Sequence, residues 1–135
     1  MRAFLDTNVL VYMFDEGEPT KQRAARALVH HLFAENVEVC ISMQVAIEFF
    51  NTMRRFRATA EQSLAHDEAL ELYECRPTTM ETIRSARQLS RAHTISWFDA
   101  LIVQAALDAR CTTLYSEDLQ HGRRFGTLEI VNPFQ

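Results

Sequence analysis

The sequence predicts an α/β fold in which a mainly parallel central sheet is flanked by helices. Short apolar segments, bounded by turn or cap residues, alternate along the chain with longer segments of helical periodicity. Such alternation is typical of parallel sheets, because each crossover helix packs on a face of the sheet. A length of 135 residues is that of one domain, so we expect a single domain over residues 1–135.

The composition, with 47% hydrophobic and 24% charged residues, is that of a soluble globular protein. No segment resembles a signal peptide, and no apolar run approaches the roughly 20 residues of a membrane span, so we expect a cytoplasmic protein with no membrane partner. Cys40, Cys75 and Cys111 lack C-x-x-C spacing, and we expect them to be reduced core residues. The net charge of −4 argues against a protein that binds nucleic acid mainly by coating its phosphates. It leaves open an enzyme whose acidic pocket is neutralised by metal ions.

The first 12 residues predict a strand followed directly by a short helix. The apolar residues 3–5 stop at Asp6, and Thr7 or Asn8 can cap the helix that follows. Asp6 is thereby placed at the carboxyl end of a strand, where open parallel sheets have their binding sites. Helix capping is the commoner use of such an aspartate and is an alternative at this point.

The middle of the chain predicts four helices and two short strands. Pro19 suits the first turn of the first of these helices, and Lys21 lies off its apolar face. Ser42 can cap the next helix, and Glu48 interrupts the apolar surface of that helix. The helices are predicted at residues 20–35, 43–56, 59–72 and 79–93, and the strands at residues 37–41 and 71–76.

The last part of the chain predicts a buried helix followed by two strands. Asp99 introduces a segment that is apolar nearly all round, as in a buried helix. Ser96, three residues earlier, completes a capping-box pattern, which is a purely structural explanation of Asp99. A strand at residues 111–115 is followed by Asp118, and a final strand is predicted at residues 128–131.

Four acidic residues occupy comparable positions in this scheme. The ends of parallel strands and the starts of the following helices share one edge of the sheet, so we expect these side chains to lie close together. Four carboxylates in one pocket repel one another, and hard divalent ions such as Mg²⁺ or Mn²⁺ remove that conflict. Such a site suits metal-assisted hydrolysis of a phosphodiester, whereas no histidine or cysteine cluster has the spacing of a zinc site. The four acids are Asp6, Glu48, Asp99 and Asp118.

Four segments also carry a resemblance to a known family. They are residues 4–10 (F-L-D-T-N-V-L), 41–48 (I-S-x-x-V-x-x-E), 98–103 (F-D-A-L-I-V) and 114–122 (L-Y-S-E-D-L-Q-H-G). In this order and spacing they resemble the PIN-domain family, and specifically the VapC-type toxins of bacterial toxin–antitoxin pairs. The family more often has Thr at Ser116 and Phe at Leu119. Glu117, beside Asp118, leaves the choice of the fourth acid ambiguous.

The resemblance covers the whole chain and implies a three-layer, PIN-like domain that acts as an endoribonuclease and leaves a 5′-phosphate. It implies a cofactor of one or two Mg²⁺ ions, with Mn²⁺ as a possible substitute. By position, the catalytic and metal-binding set would be Asp6, Glu48, Asp99 and Asp118, supported by Thr7, Asn8 and Ser116.

The resemblance also implies partners. These are an RNA substrate, a second copy of the chain in a homodimer, and a cognate antitoxin through which DNA is reached indirectly. The helix that carries Glu48 and the segment up to Tyr73 would be the surface for the dimer and antitoxin contacts.

The residues that bind the substrate are not identified by the resemblance. Arg54, Arg55 and Arg57 could guide RNA phosphates, although such a run is more often a solvated helix end. Trp97 and Phe98 could stack on unpaired bases, although packing in the core is the commoner role.

Other enzyme classes fit the sequence less well. A haloacid-dehalogenase-like enzyme needs a second carboxylate where Asn8 stands, and a receiver domain needs a lysine near a strand end, whereas Lys21 lies in a predicted surface helix. A metal-free ribonuclease would rely on His93 or His121 as acid and base. The remaining alternative is a catalytically silent PIN-like protein that acts only by binding a partner.

Overall fold

The computed structural model describes all 135 residues and contains one six-stranded sheet. The strands are β1 (Arg2–Leu5), β2 (Glu38–Ser42), β3 (Glu74–Arg76), β4 (Thr113–Tyr115), β5 (Arg124–Phe125) and β6 (Leu128–Val131). Their order in the sheet is β3-β2-β1-β4-β6-β5, and every neighbouring pair is parallel except β5 and β6.

Six α-helices connect these strands. They are α1 (Thr7–Tyr12), α2 (Pro19–Ala34), α3 (Met43–Met53), α4 (Ala60–Leu70), α5 (Met80–Ala92) and α6 (Trp97–Asp108), with a 3-10 turn at Arg54–Phe56 after α3. The predicted α/β fold with a mainly parallel, helix-flanked sheet is confirmed. None of the helices has the length and apolar character needed to cross a bilayer.

The core lies around the two central strands and the helices that pack on them. Phe4 and Leu5 of β1, Leu114 of β4 and Phe49 of α3 are fully buried. Helix α6 is buried along most of its length, as its apolar sequence predicts. Because the chain crosses over between β3 and β4, the neighbouring strands β1 and β4 form the switch point of the sheet, where such folds have a crevice at the carboxyl edge.

Side-chain caps fix the starts of several helices at this edge. Ser42 accepts a hydrogen bond from the Val45 N–H, and Ser96 accepts one from the Asp99 N–H, as predicted. The cap of α1 is Asp6, which confirms the capping alternative for that residue, and the expectation that Thr7 or Asn8 is the cap is wrong. The reason is that β1 ends at Leu5 and α1 begins at Thr7, which leaves only Asp6 in the extended conformation that a cap residue needs.

Two further expectations are wrong. Cys40 and Cys111 are buried free thiols, but Cys75 is exposed, because it lies in a three-residue strand at the edge of the sheet. Strand β5 was not predicted, since two residues are too few for a recognisable pattern. The residue that could have indicated this hairpin is Gly126, which adopts φ 60° in the two-residue connection to β6.

Candidate active site

Asp6 is the most deeply buried of the four acids, with 6% of its surface exposed. Its Oδ1 accepts a hydrogen bond from the Thr7 N–H at 2.7 Å, and its Oδ2 accepts one from Ser116 Oγ at 2.8 Å. Burial raises the pKa of Asp6 to about 6, although these two hydrogen bonds oppose the rise. The negative charges of Asp118 and Glu48 contribute a smaller part of the same rise in the pKa. A buried carboxylate with such neighbours favours either a proton or a cation.

Asp118 is tied to Asp6 through Ser116. The Ser116 Oγ that donates to Asp6 also accepts a hydrogen bond from the Asp118 N–H at 3.2 Å. Asn8, in the first turn of α1, donates from Nδ2 to Asp118 Oδ2 at 3.1 Å and accepts from the Glu117 N–H at 3.2 Å. Ser116 and Asn8 therefore hold the loop after β4 against the strand and helix that flank Asp6.

Glu117 points away from this cluster of acids. Its Oε2 accepts a hydrogen bond from Tyr12 Oη at 2.7 Å, and its Oε1 forms an ion pair with Lys21 Nζ. Burial alone would raise the pKa of Glu117, but Lys21 and Tyr12 hold it below its usual value. Glu117 is thus already engaged by Lys21 and Tyr12, and the choice of Asp118 as the fourth acid stays a prediction.

Glu48 lies in the second turn of α3 and is half-buried. Its Oε1 is buried and has no hydrogen-bond partner, and the same holds for Thr7 Oγ1. Both residues line a cavity of about 480 Å³ together with Asn8, Asp15 and Asp118, which we call the acid cavity. Asp6 lies beside this cavity and does not line it. A buried carboxylate oxygen without a partner is costly, and a bound cation would remove that cost.

Asp99 stands in the first turn of α6, and its carboxylate makes no hydrogen bond or ion pair. Only half of the predicted capping box is present, because Ser96 caps the Asp99 N–H while the Asp99 side chain does not return the bond. Phe98, beside Asp99, lines a second cavity of about 600 Å³ with Glu48. Glu48 therefore stands between the acid cavity and the start of α6, but no contact joins Asp99 to the other three acids.

The aromatic residues before Asp99 do not pack in the core. Trp97 is 37% exposed and Phe98 is 65% exposed, and both line the second cavity with Met43 and Ile47. The expectation of core packing was wrong because the apolar face of α6 turns inward only from Ala100 onward. We call this second cavity the apolar groove.

The three arginines after α3 separate into two groups. Arg55 lines the acid cavity with Glu48 and Asp118, whereas Arg54 and Arg57 line a different cavity. Arg57 adopts a left-handed conformation with φ 45°, which ends the 3-10 turn. Only Arg55 is in position to meet a group bound at the acids.

The donor set of the acid cavity is suited to a hard divalent cation. No three acidic, histidine or cysteine side chains are close enough to form a ready-made metal site. However, the available donors are carboxylate and hydroxyl oxygens, which Mg²⁺ and Mn²⁺ prefer. The unpartnered Glu48 oxygen is a buried acceptor that nothing in the chain satisfies. These carboxylates repel one another, whereas each of them would attract a divalent cation.

Sequence reasoning missed Tyr12 and Lys21. Lys21 was placed on a solvated face of α2, but it is half-buried and reaches Glu117, 96 residues away in the chain. Helical periodicity identifies the face that packs on the core and says nothing about what a polar face meets. The available signal was composition alone, since Lys21 is the sole lysine of the chain.

Comparison with known proteins supports a family assignment. A family model of the PIN domain matches residues 3–124. Comparison with curated protein sequences gives no match.

Several solved structures share the fold. A chain of a toxin–antitoxin complex from Klebsiella pneumoniae is 19% identical, with a TM-score of 0.74 and 97% of each chain covered. A chain of VapBC2 from Rickettsia felis, solved with a fragment of promoter DNA, is 20% identical, with a TM-score of 0.68 over 96% of this chain and 97% of that one. VapC20 from Mycobacterium tuberculosis, described as a sarcin–ricin-loop-cleaving toxin, is 18% identical, with a TM-score of 0.61 over 86% and 89%.

At such low sequence identities, the solved structures show only that the fold is shared. The family model, in contrast, matches the amino-acid sequence directly and assigns it to a family. The match spans most of the residues from β1 to β5, including all four acids. The chain belongs to the PIN domain family.

Proposed function

We propose that this protein is a metal-dependent endoribonuclease and the toxin of a type II toxin–antitoxin pair. The observation that carries the proposal is the arrangement of Asp6, Asp118 and Glu48. The first two are joined through Ser116, and the third has a buried oxygen without a partner. Carboxylates gathered at the carboxyl edge of a parallel sheet are suited to holding metal ions against a phosphodiester.

In this proposal the metal-binding residues are Asp6, Glu48, Asp99 and Asp118, with one or two Mg²⁺ ions or Mn²⁺ in their place. A bound ion would supply an ionised water as nucleophile and stabilise charge on the leaving oxygen. Ser116 orients the Asp6 carboxylate, because it donates to Oδ2 while accepting from the Asp118 N–H. Asn8 fixes the Asp118 carboxylate through its Nδ2. Thr7 supports Asp6 through its backbone N–H.

The proposed partners follow from the fold and from the solved structures that share it. Two of those structures contain toxin–antitoxin components, and the third is a toxin that cleaves the sarcin–ricin loop. For this chain we propose an RNA substrate, a protein antitoxin that occupies the region of the acid cavity, and a homodimer. Contact with DNA would come only through the antitoxin.

The proposal is tested by incubating the purified full chain, free of antitoxin, with a mixed pool of structured and single-stranded RNA. We expect cleavage with Mg²⁺ and with Mn²⁺ and none with EDTA. The Asp6→Asn variant should cleave more than about 100-fold more slowly, because loss of a metal ligand costs more than the 10–100-fold typical of its supporting residues. Asp67→Asn, an exposed acid of α4, is the matched control and should cleave like the unaltered protein.

Three results would contradict the proposal. Unchanged cleavage by Asp6→Asn would remove Asp6 from the reaction. Cleavage that persists in EDTA would favour a histidine mechanism or a contaminating nuclease. If the protein cleaves RNA neither with Mg²⁺ nor with Mn²⁺, the result would favour the catalytically silent alternative.

A further inference from the structure

Two adjacent carboxylates follow β4, and only one of them faces the acid cavity. Asp118 lines that cavity, whereas Glu117 is bound by Lys21 Nζ and by Tyr12 Oη. Lys21 Nζ also donates to Tyr12 Oη at 3.2 Å, so Lys21, Tyr12 and Glu117 form a closed set of contacts. We call these three residues the Lys21 clamp.

The Lys21 clamp is assembled from three separate parts of the chain, and a fourth part packs over it. Lys21 comes from α2, Tyr12 from the end of α1, Glu117 from the loop after β4, and Phe134 of the carboxyl-terminal segment packs over them. Lys21 Nζ lies 4.8 Å from the centre of the Tyr12 ring and 6.0 Å from that of Phe134, and the two rings meet edge-on at 4.9 Å. The ion pair is half-buried and shares its contacts with Tyr12, so it fixes the direction of the Glu117 side chain, and that direction requires an explanation.

The position of Tyr12 supplies that explanation. Tyr12 lines the acid cavity and at the same time holds the Glu117 carboxylate. Glu117 therefore contacts a residue of the cavity wall and directly precedes Asp118, which lines the cavity. An additional carboxylate in the cavity would add to the charge of Asp15, Glu48 and Asp118 in the absence of metal and would compete with Asp118 in its presence.

We propose that Lys21 is a positioning residue that selects the metal ligand after β4, by holding Glu117 outside the acid cavity and leaving Asp118 to bind the ion. The inference rests on the proposed function, since it takes the acid cavity as a metal site. It predicts that Glu117 becomes a substitute ligand when Lys21 is removed.

The test measures the affinity of the full chain for Mn²⁺ by titration calorimetry, with no RNA present. Asp118→Asn should weaken binding roughly 10–100-fold or more. Adding Lys21→Met to that variant should recover about tenfold, because the released Glu117 carboxylate reaches the ion. Adding Glu117→Gln as well should abolish the recovery. Lys21→Gln is a second substitution that should behave like Lys21→Met, and thermal unfolding verifies that each variant is folded.

The matched control removes an ion pair elsewhere. Arg124 pairs with Glu129 at 3.1 Å on the surface of the β5–β6 hairpin, so Arg124→Met in the Asp118→Asn background should give no recovery. The inference is overturned if Lys21→Met gives no recovery either. It is also overturned if the recovery survives Glu117→Gln, since the charge of Lys21 alone would then be responsible.

Failure of the proposed function gives a different pattern. If the unaltered chain does not bind Mn²⁺, the metal site itself is rejected, and the selection of Asp118 with it. If Asp118→Asn binds as tightly as the unaltered chain, Asp118 is not a ligand and the inference is overturned, while the other acids remain as the metal site.

Discussion

At the scale of single residues, Asp6 links stability to pH. Its ordinary pKa is 3.8, and in the metal-free fold burial raises the pKa to about 6. Between these two values the folded state holds a proton that the unfolded state has lost. The stability contributed by this group is therefore complete below pH 4 and is lost as pH rises to about 6. The difference corresponds to roughly 3 kcal/mol of unfolding free energy.

The first prediction is that Asp6→Asn stabilises the metal-free protein at pH 7.5 and has little effect on its stability near pH 4. Asparagine has nearly the same shape and cannot ionise, so the cost of a buried charge disappears, which is worth up to about 3 kcal/mol. Urea unfolding in EDTA at several pH values measures the difference between the two proteins. If that difference does not change with pH, Asp6 does not ionise in the way that its burial indicates.

Addition of Mn²⁺ at pH 7.5 gives the complementary result. The unaltered chain should gain stability with increasing Mn²⁺, because an ion that binds only the folded state stabilises it. Asp6→Asn should gain much less. An equal gain in both proteins would place the ion elsewhere.

At the scale of elements, the 3-10 turn after α3 determines which arginine lines the acid cavity. The turn and the left-handed conformation of Arg57 direct Arg54 and Arg57 to a different cavity from that of Arg55. Arg55 makes no ion pair or hydrogen bond within the chain, so its guanidinium is available to a phosphate next to the acids.

We predict that Arg55→Ala weakens the binding of single-stranded RNA, whereas Arg54→Ala and Arg57→Ala, the matched controls, do not. Fluorescence polarisation with a labelled RNA, in the Asp6→Asn background that prevents cleavage, measures the affinities. Loss of one phosphate contact should also reduce the slope of log affinity against log salt by about 0.7. Equal effects of all three substitutions would indicate a diffuse electrostatic contribution.

The helices and strands also show how much of the fold can be predicted from the sequence. Periodicity and caps identified the six α-helices and every strand except β5, because the parallel sheet repeats one simple pattern. The switch-point rule also predicted that the strand-end acid Asp6 and the loop acid Asp118 would lie close together, and they do. Their catalytic role stays a prediction.

The contacts that the polar faces of the helices make cannot be predicted from periodicity and caps. The pairing of Lys21 with Glu117 depends on how α2 is placed over a loop formed 96 residues later. The exposure of Trp97 and Phe98 depends on where α6 enters the core, which the uniformly apolar sequence of that helix does not reveal. Both features lie beside the acids, where tertiary packing and not local pattern sets the geometry.

At the scale of the whole molecule, the exposed apolar surface is a candidate interface for the proposed homodimer. Met43, Ile47, Trp97 and Phe98 are all exposed, and together they line the apolar groove of about 600 Å³. Contiguous apolar surface of this kind is unusual on a monomer and marks an interaction site. Because Glu48 lines both the apolar groove and the acid cavity, a second copy bound here would lie directly beside the acids.

The last prediction is that Ile47→Glu converts a homodimer into a monomer. Ile47 is 64% exposed in the apolar groove, so a carboxylate there would be buried without a partner in the dimer. Met80 is the matched control, since it is 61% exposed but does not line the groove, and Met80→Glu should leave the mass unchanged. Light scattering of the antitoxin-free chain measures both masses. A monomeric unaltered chain, or a dimeric Ile47→Glu variant, would show that this groove does not bind a second copy.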